Sequence, residues 1–494
     1  MEPLLQLEIA LPPRGSRSIL ASLHNQLRSA ILDGRLKPGV RLPATRAWGP
    51  LYGVSRNTAV AAYDLLLSEG YVTARRGSGT VVARSLPRPT EPRGPIRHPG
   101  ARRRLNPYYL ARPPLAASRA PSLKAGAPSP IAFQVGIPDL ASFPFDAWRR
   151  LSNRTMRRFR SRPPLTADPQ GEAPLRAAIA QHVSFARAVA CNPEDIVVTA
   201  GAQQAFDLLA RVLRTPGRTA VALENPGYPP LRAAFEAHGA EIAPVPVDAE
   251  GLIVDRIPAR ARLVCVTPSH QFPLGTAMSA QRRLALLELC QRRGAAIVED
   301  DYDAEFRFVD RPLDALQTLD RAQCVFYVGT FSKSLLPDLR LGYIVAPPWA
   351  LAALIAAKQL ADGHSSVLAQ STLALMISEG RLTRHVRSMQ RLYRRRRDVL
   401  LEGLRASLHR WLEPLPSVAG LHVAARIVTA AREASVIESA ARRGLKVGGL
   451  ARYYAGRPTL EGLVLGYGNA DESAIREGLS RLREAMSPWE AAQS

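Results

Sequence analysis

A chain of 494 residues with 46% hydrophobic content and a net charge of +24 is too long for one ordinary core and predicts two or more soluble domains. No apolar run reaches the about eighteen residues of a membrane span, and the opening "MEPLLQLEIALPPR" lacks the basic flank and long apolar core of a secretory signal, so a cytoplasmic protein with no membrane partner is expected. The charge is unevenly placed: residues 13–85 hold eleven Lys/Arg against three Asp/Glu and residues 86–129 nine against one, which points to nucleic acid as the partner.

In chain order, Leu20, Leu23, Leu27 and Ile31 repeat at helical spacing, and "KPG" at 37–39 ends the pattern. A second short helix is predicted over residues 45–51. In "GVSRNTAVAAYDLLLSEGYV" Ser55 is a fitting N-cap and Val54 a staple. Val60, Tyr63 and Leu67 are expected to form the buried stripe of this third helix. Helix, turn at Gly53, helix is the plan of a helix-turn-helix. "YVTARRGSGTVVA" then reads as a hairpin with the basic tip Arg75 and Arg76, a wing able to touch a phosphate backbone. Ser55, Arg56, Asn57 and Thr58, at the start of the recognition helix, are candidates for base or phosphate contact, and Arg46 with the wing pair would position the DNA backbone.

Residues 86–129 are dense in Pro, Arg, Ala and Ser without apolar period and read as a linker. From residue 130 to 488, "DIVVTAG", "AVALENPG", "RLVCVTPS", "AAIVEDDY" and "CVFYVGT" are short apolar strands separated by helical patterns, the signature of a largely parallel α/β sheet. Cys191, Cys265, Cys290 and Cys324 form no C-x-x-C pair. They read as buried, reduced thiols, and no metal is expected.

Of 66 basic residues only five are lysine, yet "GTFSKSLLPDLRLGY" carries Lys333. A lysine can lose its proton and attack a carbonyl, which arginine cannot. A Schiff-base lysine for pyridoxal 5′-phosphate needs a carboxylate on the ring nitrogen, a donor to the ring oxygen and several phosphate donors. Asp300 and Tyr302 in "VEDDYDAEF" fall at the carboxyl end of a strand expected over 295–298, where ligands of open α/β sheets sit. Gly201, Ala202 and Gln203 mark a strand-to-helix turn with free N–H groups for phosphate, and Thr330, Ser332 and Arg340 complete the cup.

Lys333 with "LRLGY", "EDDYDAEF", "ENPGYPP" and "TPSHQFPLGTAMS", behind "RLPATR", "GVSRNTAVAAYDLLLSEGY" and "GSGTVV", together resemble the MocR subgroup of GntR-family regulators over nearly the whole chain. The resemblance implies an N-terminal winged helix-turn-helix followed by a fold-type I, aminotransferase-like α/β domain with a smaller C-terminal lobe. It implies pyridoxal phosphate on Lys333, an amino acid, amine or pyridoxal phosphate as effector, operator DNA, and a head-to-tail homodimer. By the same resemblance Tyr228 stacks on the cofactor, His270 or Gln271 stands beside its ring oxygen, Arg452 grips an effector carboxylate, and Gly171 and Arg176 are framework. Gly49 and Pro50 depart from the family's uninterrupted second helix and put its bracing in question. The expected function is a transcriptional regulator; the alternatives are an active aminotransferase with a DNA-binding appendage and a repressor whose large domain has lost its cofactor.

Overall fold

The computed structural model describes residues 9–13, 16, 18–75, 79–84, 108, 131–161, 163, 167–214, 219–303, 305–308 and 314–489. Two units follow one another, Met1–Arg104 and Leu105–Ser494. The expected linker, Tyr108 apart, and the wing-tip residue Arg76 lie outside the described residues, and Arg75 is described for its backbone alone.

In the first unit, helix Ile19–Leu32 buries Leu23, Leu27 and Ile31 against the recognition helix Arg56–Ser68. Ser55 caps that helix, its hydroxyl accepting from the Thr58 N–H at 3.1 Å, a contact worth about 1 kcal/mol. The buried stripe is Ala59, Ala62, Tyr63 and Leu66. Val60 and Leu67, expected inside, are 37% and 44% exposed: small alanines fill the close approach to the first helix and displace the larger side chains outward by one position. Gly49 and Pro50 cause no break. A 3-10 turn Thr45–Ala47 leads into helix Trp48–Tyr52, so Pro50 falls in the first turn, where N–H groups have no intrahelical acceptor. Gly53 then takes φ +67°, a left-handed conformation suited to glycine, and makes the turn. Trp48, 1% exposed, donates its indole N–H to the Tyr63 hydroxyl at 2.9 Å, which donates to the Pro43 carbonyl at 2.8 Å. The second helix therefore braces the recognition helix despite its brevity. The wing is the antiparallel pair Val72–Arg75 and Gly79–Val82.

The second unit is built on an eight-stranded sheet in the order Ile196–Thr199, Gly342–Val345, Val325–Thr330, Ala296–Asp301, Ala261–Val266, Ala220–Asn225, Glu241–Asp248, Gly251–Leu252. The five strands from Val325–Thr330 to Glu241–Asp248 are mutually parallel, and Gly342–Val345 runs antiparallel to both its neighbours. Both faces are covered. Phe326 and Val328 pack on helices Ala202–Val212 and Pro348–Asp362, while Tyr327 joins the cluster on the opposite face, which is why these strands read as unbroken apolar runs. A smaller lobe holds the antiparallel sheet Leu412–Pro414, His422–Ile427, Gly462–Gly466, Gly448–Gly449. The start of the unit is tied to this lobe: Ile131–Ala132 pairs with Leu445–Lys446, and the Gly466 N–H donates to the Phe133 carbonyl. Arg176 donates to the carbonyls of Gly171 and Pro193, a framework role. The four cysteines are free, and all but the half-buried Cys191 are buried.

Beneath the carboxyl edge of the sheet lies a buried ion pair. Arg187 Nε donates to Asp301 Oδ2 at 2.8 Å, the Tyr327 hydroxyl donates to the same oxygen at 2.7 Å, and the guanidinium also reaches Ser269 Oγ. Removing one partner strands a buried charge. Arg187→Met is therefore expected to lower unfolding free energy by about 3–5 kcal/mol in urea titration, and a loss below about 1 kcal/mol would contradict the pairing.

Candidate functional site

Strand register assembles the site. Val328 lies opposite Asp300 and Gly329 opposite Asp301 in the parallel pair, so Thr330, Ser332 and Lys333 emerge beside Asp300 and Tyr302. On the other side Gly342 pairs with both Thr330 and Thr199, which brings the turn before helix Ala202–Val212 to the same edge. The strand reaches Asp301, three residues beyond the expected end, so Asp300 sits within its last residues. Between these ends is a cavity of about 220 Å³ lined by Ala202, Gln203, Tyr228, Asp300, Tyr302, Thr330, Ser332, Lys333 and Arg340, nine of the twelve residues that the sequence proposes around the cofactor.

Its two ends differ chemically. At one end Asp300 is 4% exposed and its Oδ1 has no hydrogen-bond partner. Burial pushes its carboxyl well above the usual range, Asp301 and Asp303 add to this, and Lys333 opposes it. Lys333 Nζ donates to the Gly136 carbonyl at 2.7 Å; burial pushes its amine below the ordinary lysine value, against the pull of Asp303 and Asp300. Tyr302 OH lies 2.8 Å from His270 Nδ1, which also lies 2.9 Å from Asp303 Oδ2. Burial pushes the Tyr302 phenol well above its usual value, and the Asp303 carboxylate, to which its hydroxyl also hydrogen-bonds, adds to this. At the other end Gly201 takes φ +77° ahead of its helix. A Cβ there would stand 3.3 Å from the Arg340 guanidinium, which is anchored on the Ala200 carbonyl at 2.7 Å. Thr330 Oγ1 donates to Ser332 Oγ at 3.1 Å. A helix N-terminus, a guanidinium and two hydroxyls suit a phosphate. An unpaired buried carboxylate oxygen suits a ring N–H, and a low-pKa amine suits an aldehyde. The donor set fits pyridoxal phosphate.

Three expected residues stand differently. Neither His270 nor Gln271 lines the cavity. The Gln271 amide is held by the carbonyls of Pro226 and Phe272 and by Glu224, and His270 touches the site through Tyr302. Arg452 lines an adjoining groove of about 840 Å³ that shares Val135, Gln203, Tyr228 and Phe272 with the cavity. In the first unit Arg46, Arg56 and Asn57 are exposed, whereas the Ser55 and Thr58 hydroxyls bond each other within the cap. The sequence reading missed Asp303, Phe272, His422 and the Gly136 carbonyl. Asp303 and Phe272 lie inside motifs already singled out, but nothing local marks His422 or Gly136.

Because burial disfavours the charged amine, replacing Lys333 should relieve the folded apoprotein while that amine is protonated in both states. The sign follows from linkage: a lysine whose folded value is depressed binds fewer protons folded than unfolded, so stability rises with pH through that window. Lys333→Met apoprotein is expected to gain stability over wild type near neutral pH, with the gap closing as pH climbs to the ordinary lysine range. Urea titrations at several pH values test this, and a gap that widens with pH would contradict it.

Comparison with known proteins supplies the family. The profile of aminotransferase class I and II matches residues 130–434, and that of bacterial regulatory proteins of the gntR family matches residues 21–82. The probable rhizopine catabolism regulatory protein MocR of Rhizobium meliloti is 38% identical over 94% of this chain and 93% of its own. The HTH-type pyridoxine biosynthesis transcriptional regulator PdxR of Corynebacterium glutamicum is 33% identical over 98% and 99%. The α-aminoadipate aminotransferase LysN of Thermus thermophilus, solved with N-(5′-phosphopyridoxyl)-L-leucine, superposes with a TM-score of 0.68 at 28% identity over 73% of this chain and 93% of that one. With a winged helix-turn-helix ahead of an aminotransferase fold, and regulators of the same two-part build matched nearly end to end, the chain belongs to the MocR subgroup of GntR-family transcriptional regulators.

Proposed function

We propose that this regulator senses an amino acid, an amine or pyridoxal phosphate at the cavity around Lys333 and transmits occupancy to its DNA-binding unit. The observation that carries the reading is the unpaired Asp300 Oδ1, buried in the same cavity as a lysine amine of lowered pKa. The cofactor is pyridoxal 5′-phosphate, which when bound supplies an aldehyde that condenses with amines and a ring that withdraws electrons. Asp300 would keep the ring nitrogen protonated, and the Tyr302 hydroxyl would donate to the ring oxygen. Arg340, Thr330, Ser332 and the N–H groups of Gly201, Ala202 and Gln203 would hold the phosphate, with Tyr228 against the ring. His270 orients Tyr302, and Gln271 shapes the loop. Arg452 would receive a carboxylate at the groove. The names of the two regulators, for rhizopine catabolism and pyridoxine biosynthesis, support effectors of either class.

Transmission requires two conformations that the effector binds unequally. Closure of the smaller lobe is the proposed change, in a head-to-tail homodimer whose residues 86–129 link the DNA-binding part, 13–85, to the sensor, 130–488. Arg46, Arg56, Asn57, Arg75 and Arg76 are the proposed DNA contacts. The presence of Lys333, Asp300, Tyr302 and Arg340 around one cavity also supports transamination as a second activity, which steady turnover of amino and keto acids without operator binding would favour.

Borohydride reduction of the loaded protein, followed by digestion and mass spectrometry, is expected to place a pyridoxyl group on the Lys333 peptide. A footprint on DNA flanking its own gene should shift with one member of a panel of amines, amino acids and pyridoxal phosphate. No adduct at Lys333 sinks the sensing proposal. On the DNA side, Arg56→Ala is expected to weaken binding and, where it meets a phosphate, to reduce the slope of log affinity against log salt by about 1.

A further inference from the structure

His422 is the first residue of strand His422–Ile427 in the smaller lobe and lines the Lys333 cavity. It is 2% exposed. Its Nε2 lies 3.0 Å from the Pro273 carbonyl oxygen; a carbonyl accepts and cannot donate, so Nε2 carries the ring proton. That leaves Nδ1 as a lone-pair acceptor. Nδ1 makes no hydrogen bond to the described residues, and it is not among the partnerless atoms sealed from solvent, so its lone pair opens on the cavity. The ring cannot swing freely, since His270 at 5.1 Å and Phe272 at 5.3 Å pack against it. Burial, helped by His270 and Lys333, pushes the imidazole down to about 3, and it stays neutral across the physiological range.

A fixed, neutral acceptor on the wall of a binding cavity discriminates by hydrogen-bond polarity. A ligand N–H or O–H placed there is satisfied, whereas a carboxylate or carbonyl would set two lone pairs against each other. We propose that His422 is a specificity-determining residue, its Nδ1 accepting a hydrogen bond from a second donor, hydroxyl or amine, on the bound amino compound. The inference rests on the reading of this cavity as the amine-sensing site. It narrows the effector to amino compounds that carry a donor group besides the reacting amine. It also gives the smaller lobe a direct contact with the ligand, because Lys333 and Pro273 belong to the larger lobe and His422 does not.

The test uses the full chain loaded with pyridoxal phosphate and follows its visible absorption band during titration with ethanolamine and with propylamine, which differ by a hydroxyl in place of a methyl. Wild type is expected to favour ethanolamine by about tenfold, the scale of one buried hydrogen bond. His422→Phe should lose that preference while still loading the cofactor. His422→Asn, whose amide oxygen can stand where Nδ1 does, should retain it. Equal preference in wild type and His422→Phe would overturn the inference, as would His422→Asn losing the preference as completely as His422→Phe. A wild-type band that responds to neither these amines nor any amino acid would instead overturn the reading of the cavity as the amine-sensing site.

Discussion

A carboxylate oxygen with no partner, held away from water next to a lysine amine, is the constraint around which the second unit is arranged. A buried carboxyl without a partner costs free energy and shifts its pKa upward rather than stay charged, as that of Asp300 does, so it survives only where other packing enforces it. Here the enforcement is the parallel sheet. Residues 299–301 carry three acids in a row, and strand alternation sends them to different fates. Glu299 accepts from the N–H groups of Leu316 and Gln317, Asp301 pairs with Arg187, and Asp300 between them opens on the cavity. A one-residue slip that brought Asp301 to the cavity would set Tyr302 in its place and leave Arg187 with no carboxylate beside it. The buried ion pair thus fixes the register that exposes Asp300 to its ligand.

The same economy of position governs the first unit. Its second helix is only Trp48–Tyr52, yet Trp48 carries the bracing through one ring packed edge-on against Tyr63, centroids 6.3 Å apart, and one indole hydrogen bond. Pro50 is tolerated because the helix has barely begun when it occurs. The recognition helix is oriented from beneath by Tyr63 and at its start by the Ser55 cap, so Arg56 and Asn57 face outward without internal partners that compete for them among the described residues.

How far this was legible in the sequence depends on whether the signal is local. Four of the five parallel strands, Ala220–Asn225, Ala261–Val266, Ala296–Asp301 and Val325–Thr330, and the edge strand Ile196–Thr199 were legible because burial makes them continuous apolar runs between turn residues, whereas Glu241–Asp248, with its two prolines, was not singled out. Lys333 stood out because the chain otherwise prefers arginine, and Asp300, Tyr302 and Arg340 because they sit at strand ends near it. In the recognition helix Tyr63 was read correctly, but Val60 and Leu67 were chosen where Ala59 and Leu66 are buried, since periodicity weighs large apolar residues above the alanines that close helix packing favours. His422, Asp303 and Gly136 could not be ranked. Asp303 was one acid in a run of several, and the other two reach the cavity from segments remote in sequence, through pairings that only the folded lobe creates.

Those remote segments explain why the cavity belongs to both lobes. Residues 135–137 follow a stretch that hydrogen-bonds to Lys446 and Gly466 of the smaller lobe, and Leu421 and His422 enter from that lobe directly. The Lys333 amine, on the larger lobe, rests on the Gly136 carbonyl, so one hydrogen bond crosses between the two before any ligand arrives. Cofactor held on Lys333 would take that amine from Gly136, and a competing amine would release it to return. The chemistry at position 333 and the attachment of the smaller lobe are therefore not independent, and a sensor that reports by moving one lobe needs that dependence.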